Sequence, residues 1–501
     1  MKGIESNHVE RVSRPVPATR ELPRGTGLET RSTLPLCTLA LWLAVAGAIA
    51  ASFATLLEPR FVFLGTGLWA LVIVLLPVIR DPGYPLFSMW SFVALTVIIG
   101  VSLRGACLSF GFPDADRLDT LFFLGKEPRY FFPAAGWLLL GLFSLALGWM
   151  VFSFPKESEP RPIRYHPGWL VVLALGILAI SLVATALYIQ RTGGFASGDW
   201  SAKRTVIPDL ELAGSDYQSH GGLRFVASLA IFGHLLVLAP LLSATTTPRN
   251  RVLLGLLALA LLAVACVVPF YASLRTTVAL HLVFSAAMIH RHAPRRVRNG
   301  VLILAGVVAL LGVWIMTALR PSNPHADSES LSRPTLARVF EAAVINRNQI
   351  ELPKTAHLLE SIPETLPFQH GKTIARWGLA PIPRSLWADK PVIPPGPEIG
   401  RTLYDQRVAG VPPSLVGELY WNFSLPGVVI GAFGFGVLLH WLQARFLAGG
   451  DVLRTAIYIA GPMTLGFEAV GSSLGSGLFR ATLQTTVMAV LVGCVARFGK
   501  R

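Results

Sequence analysis

The sequence predicts an all-α polytopic integral membrane protein, with about twelve transmembrane helices and a large ordered outer loop between the ninth and tenth. Three observations carry this prediction. Only 14% of the 501 residues are charged while 53% are hydrophobic, and mean hydropathy is +0.57. A soluble chain of this length would carry about a quarter charged residues. Several apolar runs reach the roughly 20 residues that cross a hydrocarbon core as helix. The stretch 320–421 interrupts this pattern with near-balanced charge, aromatics and little repetition, and a connection of that length is functional or disordered. Its low repetition and one helical stretch favour order.

Each span follows from an apolar run bounded by polar or turn residues. The runs fall at 34–57, 61–79, 86–103, 131–154, 168–189, 223–243, 252–271, 274–290, 299–319, 422–442, 453–472 and 479–497. The chain thus divides into a tail 1–32, nine spans within 33–319, a loop domain 320–421 and three spans within 422–501. The tail is basic, with Arg11, Arg14, Arg20, Arg24 and Arg31, and reads as an uncleaved cytoplasmic segment. With the tail inside, one side collects Arg80, Lys156, Arg161, Arg164, Arg249, Arg251, the run HRHAPRRVR (290–298), Arg445, Arg454 and ARFGKR. The short loops of the other side hold fewer Lys and Arg, so both termini are expected in the cytoplasm. The formal charge of +15 is then a topology signal in contact with anionic lipid, not a sign of nucleic acid. Cys37, Cys107, Cys266 and Cys494 are scattered, which supports neither a disulfide framework nor a zinc site.

Chemistry is expected on the outer side. The long loop opens with a helix signal: Ser332 as cap, Pro334 in the first turn, and an apolar face of Leu336, Val339, Phe340, Ala343 and Val344 that also carries Arg347. Then comes HGKTIARWGLAPIPRSLWADKP (370–391), whose prolines stiffen the path. There Arg384 and Lys390 flank Trp387, an arrangement able to face phosphate with the cations and sugar or lipid with the ring. A structural lid with solvated charges is the plainer reading. The loop ends in VPPSLVGELYWNFSLPGVVIG (411–431) and runs into a span. Tyr420 and Trp421 suit an interfacial aromatic belt. Glu418 is an acid at a span entrance, costly there unless paired or useful. It is a candidate base for a sugar hydroxyl, or a structural ion-pair partner of Arg407 or Arg480.

Ionisable residues in or beside spans are further pointers. Arg275 lies in the tight turn YASLRTTVAL (271–280), Arg480 opens the last span, and Glu468 sits near the end of the one before it. His234 and His281 lie deeper and are expected to be packed and hydrogen-bonded. Arg275, Arg347, Arg384 and Arg480 come from separated elements and are suited to a bidentate clamp on a pyrophosphate. No metal-binding DxD motif lies in the outer loops, and no cofactor is expected.

The order of these elements is a tight SLRTT turn, an Arg–Asn–Gln helix end, HGKT, IPRSLWADKP, and GELYWNF entering a span. It resembles the bacterial O-antigen polymerase, or oligosaccharide repeat unit polymerase, family, in motif over about 270–430 and in topology over most of the chain. The resemblance implies a metal-independent glycosyltransferase of the inner membrane. Such an enzyme polymerises undecaprenyl-pyrophosphate-linked repeat units on the periplasmic side, alongside a flippase and a chain-length regulator. It implies Arg275, Arg384 and Glu418 as catalytic residues, and Arg347, Lys390, Trp387, Arg480 and Tyr420 as substrate-binding residues. One departure is the arginine–ten-residue–glycine spacing of some members: Arg407 and Gly417 have only nine residues between them.

A glycan ligase shares most of these features and differs in its acceptor. A twelve-span transporter shares the topology, but its long connection is expected on the cytoplasmic side between spans six and seven. A non-enzymatic subunit of a polysaccharide export system is a further reading.

Overall fold

The computed structural model describes residues 28–81, 84–112, 114–152, 163–192, 221–242, 248–272, 274–294, 297–301, 303–304, 306–307, 340, 344–345, 350–382, 386–387, 389–405, 410–447 and 450–498. Among them there is no strand. The first half holds α1 (Leu28–Ala54), α2 (Val62–Arg80), α3 (Met89–Phe110), α4 (Phe132–Val151), α5 (Pro167–Arg191), α6 (Gly221–Leu242), α7 (Pro248–Tyr271) and α8 (Arg275–His292). The second half holds α9 (Leu352–Ser361), α10 (Gly396–Tyr404), α11 (Ser414–Leu447), α12 (Val452–Ala460), α13 (Pro462–Gly471) and α14 (Leu474–Phe498). Eight of the described helices are long and apolar enough to cross a membrane: α2 to α7, α11 and α14. The chain is an all-helical, multi-pass membrane protein.

Glycines set the closest helix contacts, as expected where lipid supplies no hydrophobic drive and van der Waals packing must hold helices together. A Cβ at Gly148 of α4 would run into the carbonyl oxygen of Phe433 on α11, and one at Gly436 of α11 into that of Leu145 on α4. The two backbones therefore touch reciprocally. Gly67 of α2 meets α3 at Val101 and Ser102 in the same way, and the Ser102 hydroxyl donates to the Gly67 carbonyl at 2.7 Å.

Three of the expected spans depart from simple helices. The middle of α3 widens to a π-helix at Ile98–Leu103. Helix α11 kinks at Ser424, whose φ is 56°; Pro426 follows and cannot donate a helical hydrogen bond. It also begins at Ser414, ahead of the 422–442 run expected from hydropathy. The expected span 453–472 is two short helices, α12 and α13, broken at Gly461–Pro462. Gly461 backs directly onto Thr485 of α14, so the irregular backbone is buried in protein, where a membrane tolerates it. Most of the expected span 299–319 lies outside the described residues.

Hydrogen bonds fix which helix ends lie together. At one end Arg60, before α2, donates to the Leu108 carbonyl of α3 at 3.1 Å and pairs with Asp119 at 2.5 Å. Ser414 N–H donates to the Ser472 carbonyl at 2.8 Å, joining the starts of α11 and α14. At the opposite end Arg80 donates to Met150 at 2.8 Å, and Arg291 to Leu447 at 3.0 Å. There too Asp451 accepts from Ile163 N–H at 2.9 Å. Helix α9 packs on α4 and α11 at the first of these ends.

Candidate functional site

The HGKT and GELYWN motifs meet. His370 and Gly371 both have positive φ, 47° and 84°, a turn that favours glycine at the second position. It aims the Gly371 N–H at the Asn422 side-chain oxygen, 2.8 Å away. Asn422 Nδ2 donates to Thr373 Oγ1 at 2.7 Å and to the Glu418 carbonyl at 2.8 Å. The Thr373 hydroxyl donates to Glu418 Oε1 at 2.8 Å, and Leu474 N–H donates to Oε2 at 2.6 Å. Thr373, Glu418 and Asn422 are all 0% exposed. This fully engaged network joins the loop segment to α11 and to the N-terminus of α14, where the helix dipole favours a carboxyl group. Trp377 extends the same junction by stacking on Phe479 at 5.8 Å, with Gly475 leaving room for its ring.

A second buried cluster ties α9 to α3. Arg104 follows the π-helical turn and is 0% exposed. Its guanidinium donates to the Val344 carbonyl and pairs with Glu351, which precedes α9. It also lies over the Phe122 ring, 5.4 Å from the centroid. Lys354, on the first turn of α9, is likewise 0% exposed. Burial, and then the nearby Arg104 charge, hold its ammonium well below the ordinary lysine pKa. Further along α9, His357 Nε2 donates to the Phe122 carbonyl at 2.9 Å. Glu360 accepts from Tyr130 at 2.5 Å and from Lys126 at 3.0 Å. The Tyr130 hydroxyl is the main cause of a Glu360 pKa below the usual carboxylate range, with Lys126 adding to it.

The expected site residues fare differently. Glu418 is not at the surface but inside the network above. Arg480 does not pair with it: Arg480 meets Glu468 across the turn between α13 and α14, where the two are nearest neighbours of opposite charge. Its side chain is otherwise half exposed. Lys390 is buried, and its ammonium donates to the carbonyls of Ala380 at 3.1 Å and Ile382 at 2.7 Å. It closes the proline-rich loop on itself, because a buried ammonium needs acceptors and these are the nearest. Trp387, on that loop, is 38% exposed. Tyr420 is half buried against Phe368. Trp421 is not part of an aromatic belt: it is 0% exposed and donates to the Pro367 carbonyl at 3.0 Å, because the loop covers it. Arg347, Arg384 and Arg407 lie outside the described residues, as does most of the expected helix 332–347. Arg275 begins α8, and only its backbone is described.

Deeper in the bundle, His234 is hydrogen-bonded through Nδ1 to the Ala258 carbonyl and through Nε2 to Ser285, both at 2.8 Å. His281 faces Cys266 at 3.9 Å. Among the described residues no group of three His, Cys, Asp or Glu side chains is placed to hold a metal ion. Sequence reasoning missed Arg104, Glu351 and Lys354. The available signal was an Arg directly after the apolar run VIIGVSL, and an ELPK stretch opening a helix.

No protein-family model, curated protein or solved structure matches the chain.

Proposed function

We propose that the protein polymerises undecaprenyl-pyrophosphate-linked oligosaccharide repeat units into a surface polysaccharide. It would do so on the periplasmic side of a bacterial inner membrane, with both termini cytoplasmic. One observation supports this reading above the others: the HGKT and GELYWN segments, which carry the family resemblance, are joined by a buried hydrogen-bond network at one end of the helical bundle. That junction and the Trp377–Phe479 stack hold the HGKT segment against α11 and α14, and Trp387, farther along the loop, is partly exposed. Repeat-unit polymerisation needs such a site. The leaving lipid diphosphate requires fixed cations, and the glycan requires aromatic and polar contacts outside the hydrocarbon.

In this reading Arg384, Arg275 and Arg347 supply guanidinium forks for the diphosphate. Trp387 contacts sugar or lipid, and Arg480 stands at the mouth of the last span. Glu418 and Lys390 are positioning residues. Glu418 holds the HGKT turn against α11 and α14, and Lys390 fixes the loop that carries Arg384. No cofactor enters the reaction. The acceptor hydroxyl attacks the anomeric carbon, the bond to the diphosphate oxygen breaks, and the hydroxyl proton passes to a base.

Deleting the gene and resolving surface glycan on a gel tests the reading. Single repeat units on carrier or final acceptor, with long chains restored by the intact gene, are expected. Long chains stranded on the carrier would point to a ligase, and an unchanged ladder would remove the reading altogether.

A further inference from the structure

The loop segment contains a cavity distinct from the buried junction and used by none of the roles above. It measures about 330 Å³, the small end of the roughly 300–1,000 Å³ typical of ligand pockets, and so suits one or two sugar rings better than a long chain. Pro391, Val392 and Pro394 give it an apolar wall, while Arg376, Glu398, Arg401 and Thr402 give it a polar one. Glu398, Arg401 and Thr402 are at i, i+3 and i+4 on α10 and therefore share a face. The opposite face of α10 is anchored: Ile399 is 0% exposed, in a cluster with Leu358, Leu366 and Trp421. Arg376 belongs to a 3₁₀ turn, Arg376–Leu379, held down by the Trp377–Phe479 stack. Both guanidiniums therefore project from fixed backbone, which lowers the cost of ordering them around a ligand.

The charges select the ligand. Arg376 lies 3.8 Å from the Glu398 carboxylate, and Arg401 has no ion-pair partner among the described residues, so the polar wall carries one net positive charge. A doubly charged phosphate would gain two guanidiniums but would sit against Glu398. A singly charged carboxylate on a sugar ring fits better. Its anion takes the Arg401 fork, its hydroxyls donate to Glu398 and exchange hydrogen bonds with Thr402, and the C–H face of the ring lies on the prolines.

Resting on the polysaccharide reading, we propose that the cavity lined by Arg376, Glu398 and Arg401 is a subsite for an acidic sugar, a uronic acid or similarly carboxylated residue, of the glycan the protein handles. The site recognises the sugar without reacting with it, and makes charge on the repeat unit a determinant of substrate choice.

Titration of the purified full chain in detergent with a glucuronosyl-glucose disaccharide, neutral cellobiose and inorganic phosphate tests this. The acidic disaccharide should bind at least about tenfold more tightly than the neutral one, the value of one charge-assisted hydrogen bond. Arg401→Gln and Arg376→Gln should each abolish most of that preference, and Arg401→Lys should keep part of it. Arg401 is exposed, so its variants should fold. Equal binding of the two disaccharides overturns the proposal, as does binding of neither, or phosphate binding more tightly than the acidic sugar. The glycan gel decides the polymerase reading and the titration decides this one. A strain that depends on the gene for polymer, with protein blind to the uronate, would leave the first standing and remove the second.

Discussion

Glu418 and Leu474 are 56 residues apart in the chain, and the Glu418 carboxyl oxygen accepts the Leu474 backbone N–H at 2.6 Å. One side chain from α11 thereby satisfies a donor at the N-terminus of α14, where the first turn has no helical acceptor of its own. Its other oxygen accepts from Thr373, so the same group also fixes the HGKT turn.

Replacing Glu418 should expose this dual role. Glu418→Ala strands the Leu474 N–H and the Thr373 hydroxyl in a buried site, at about 1–3 kcal/mol for each unsatisfied group. The expected result is a lower thermal midpoint and less folded protein after detergent extraction. Glu418→Gln keeps an acceptor for Leu474 and should recover most of the loss, with polymer formation retained. A stable Glu418→Gln protein that binds lipid-linked repeat units and cannot extend them would restore Glu418 as a proton acceptor and overturn the positioning role.

Arg104 and Glu351 should be strongly coupled. Each is almost completely buried, 0% and 2% exposed. Removing one leaves the other as an uncompensated buried charge, a loss of about 3–5 kcal/mol. Glu351→Leu and Arg104→Met should each destabilise severely. The double variant should be far more stable than the sum of the two predicts, because well-packed apolar residues can replace a buried pair at little cost. Thermal unfolding of the four proteins measures this. Additive losses would show that the pair is not what joins α9 to α3.

These two clusters mark where the sequence could be read and where it could not. Hydropathy located most long spans because spanning helices satisfy every backbone group internally and leave a continuous apolar run. The Gly461–Pro462 break was visible as residues, yet the run 453–472 stays apolar through it, and hydropathy does not register backbone geometry. The polar junction was harder. Glu418 was singled out as an acid at a span entrance, but its partners, Thr373 and the Leu474 amide, are distant in sequence and one of them is backbone. Arg104 directly follows the apolar run 86–103, where an Arg ordinarily snorkels outward. Burial becomes tolerable because Glu351, the Val344 carbonyl and the Phe122 ring pack against it. The pairing of Arg480 with Glu468 needed the tight turn between α13 and α14, which brings positions 12 residues apart face to face.

The orientation of the bundle is open to a direct chemical test. Leu386 is 81% exposed on the proline-rich loop, so Leu386→Cys, in a chain whose native cysteines are replaced by Ser or Ala, gives a surface reporter. If the excess of Lys and Arg sets the topology as the positive-inside rule requires, this cysteine should react with a membrane-impermeant maleimide in cells whose outer membrane alone is permeabilised. Labelling confined to cells with a lysed inner membrane would put the loop in the cytoplasm, and the proposed periplasmic transfer site would fall with it.

Lys354 should make stability depend on pH in a predictable direction. Its folded-state pKa lies well below the ordinary value, chiefly from burial and then from Arg104, whereas an unfolded lysine titrates near 10.4. Between those two values the unfolded chain binds the extra proton, so stability rises with pH across that window. Within that window the wild-type protein bears a cost at this residue that falls as pH rises and vanishes as pH approaches about 10.4. Lys354→Met keeps a similar unbranched shape and removes the titration. It should therefore raise the thermal midpoint at pH 7, with an advantage that shrinks steadily toward pH 10. Thermal unfolding of both proteins in detergent across pH 7–10 measures the difference. A constant difference would mean that Lys354 keeps its ordinary pKa in the fold. A destabilised Lys354→Met protein at pH 7 would mean that the favourable contacts of the lysine outweigh the cost of burying it.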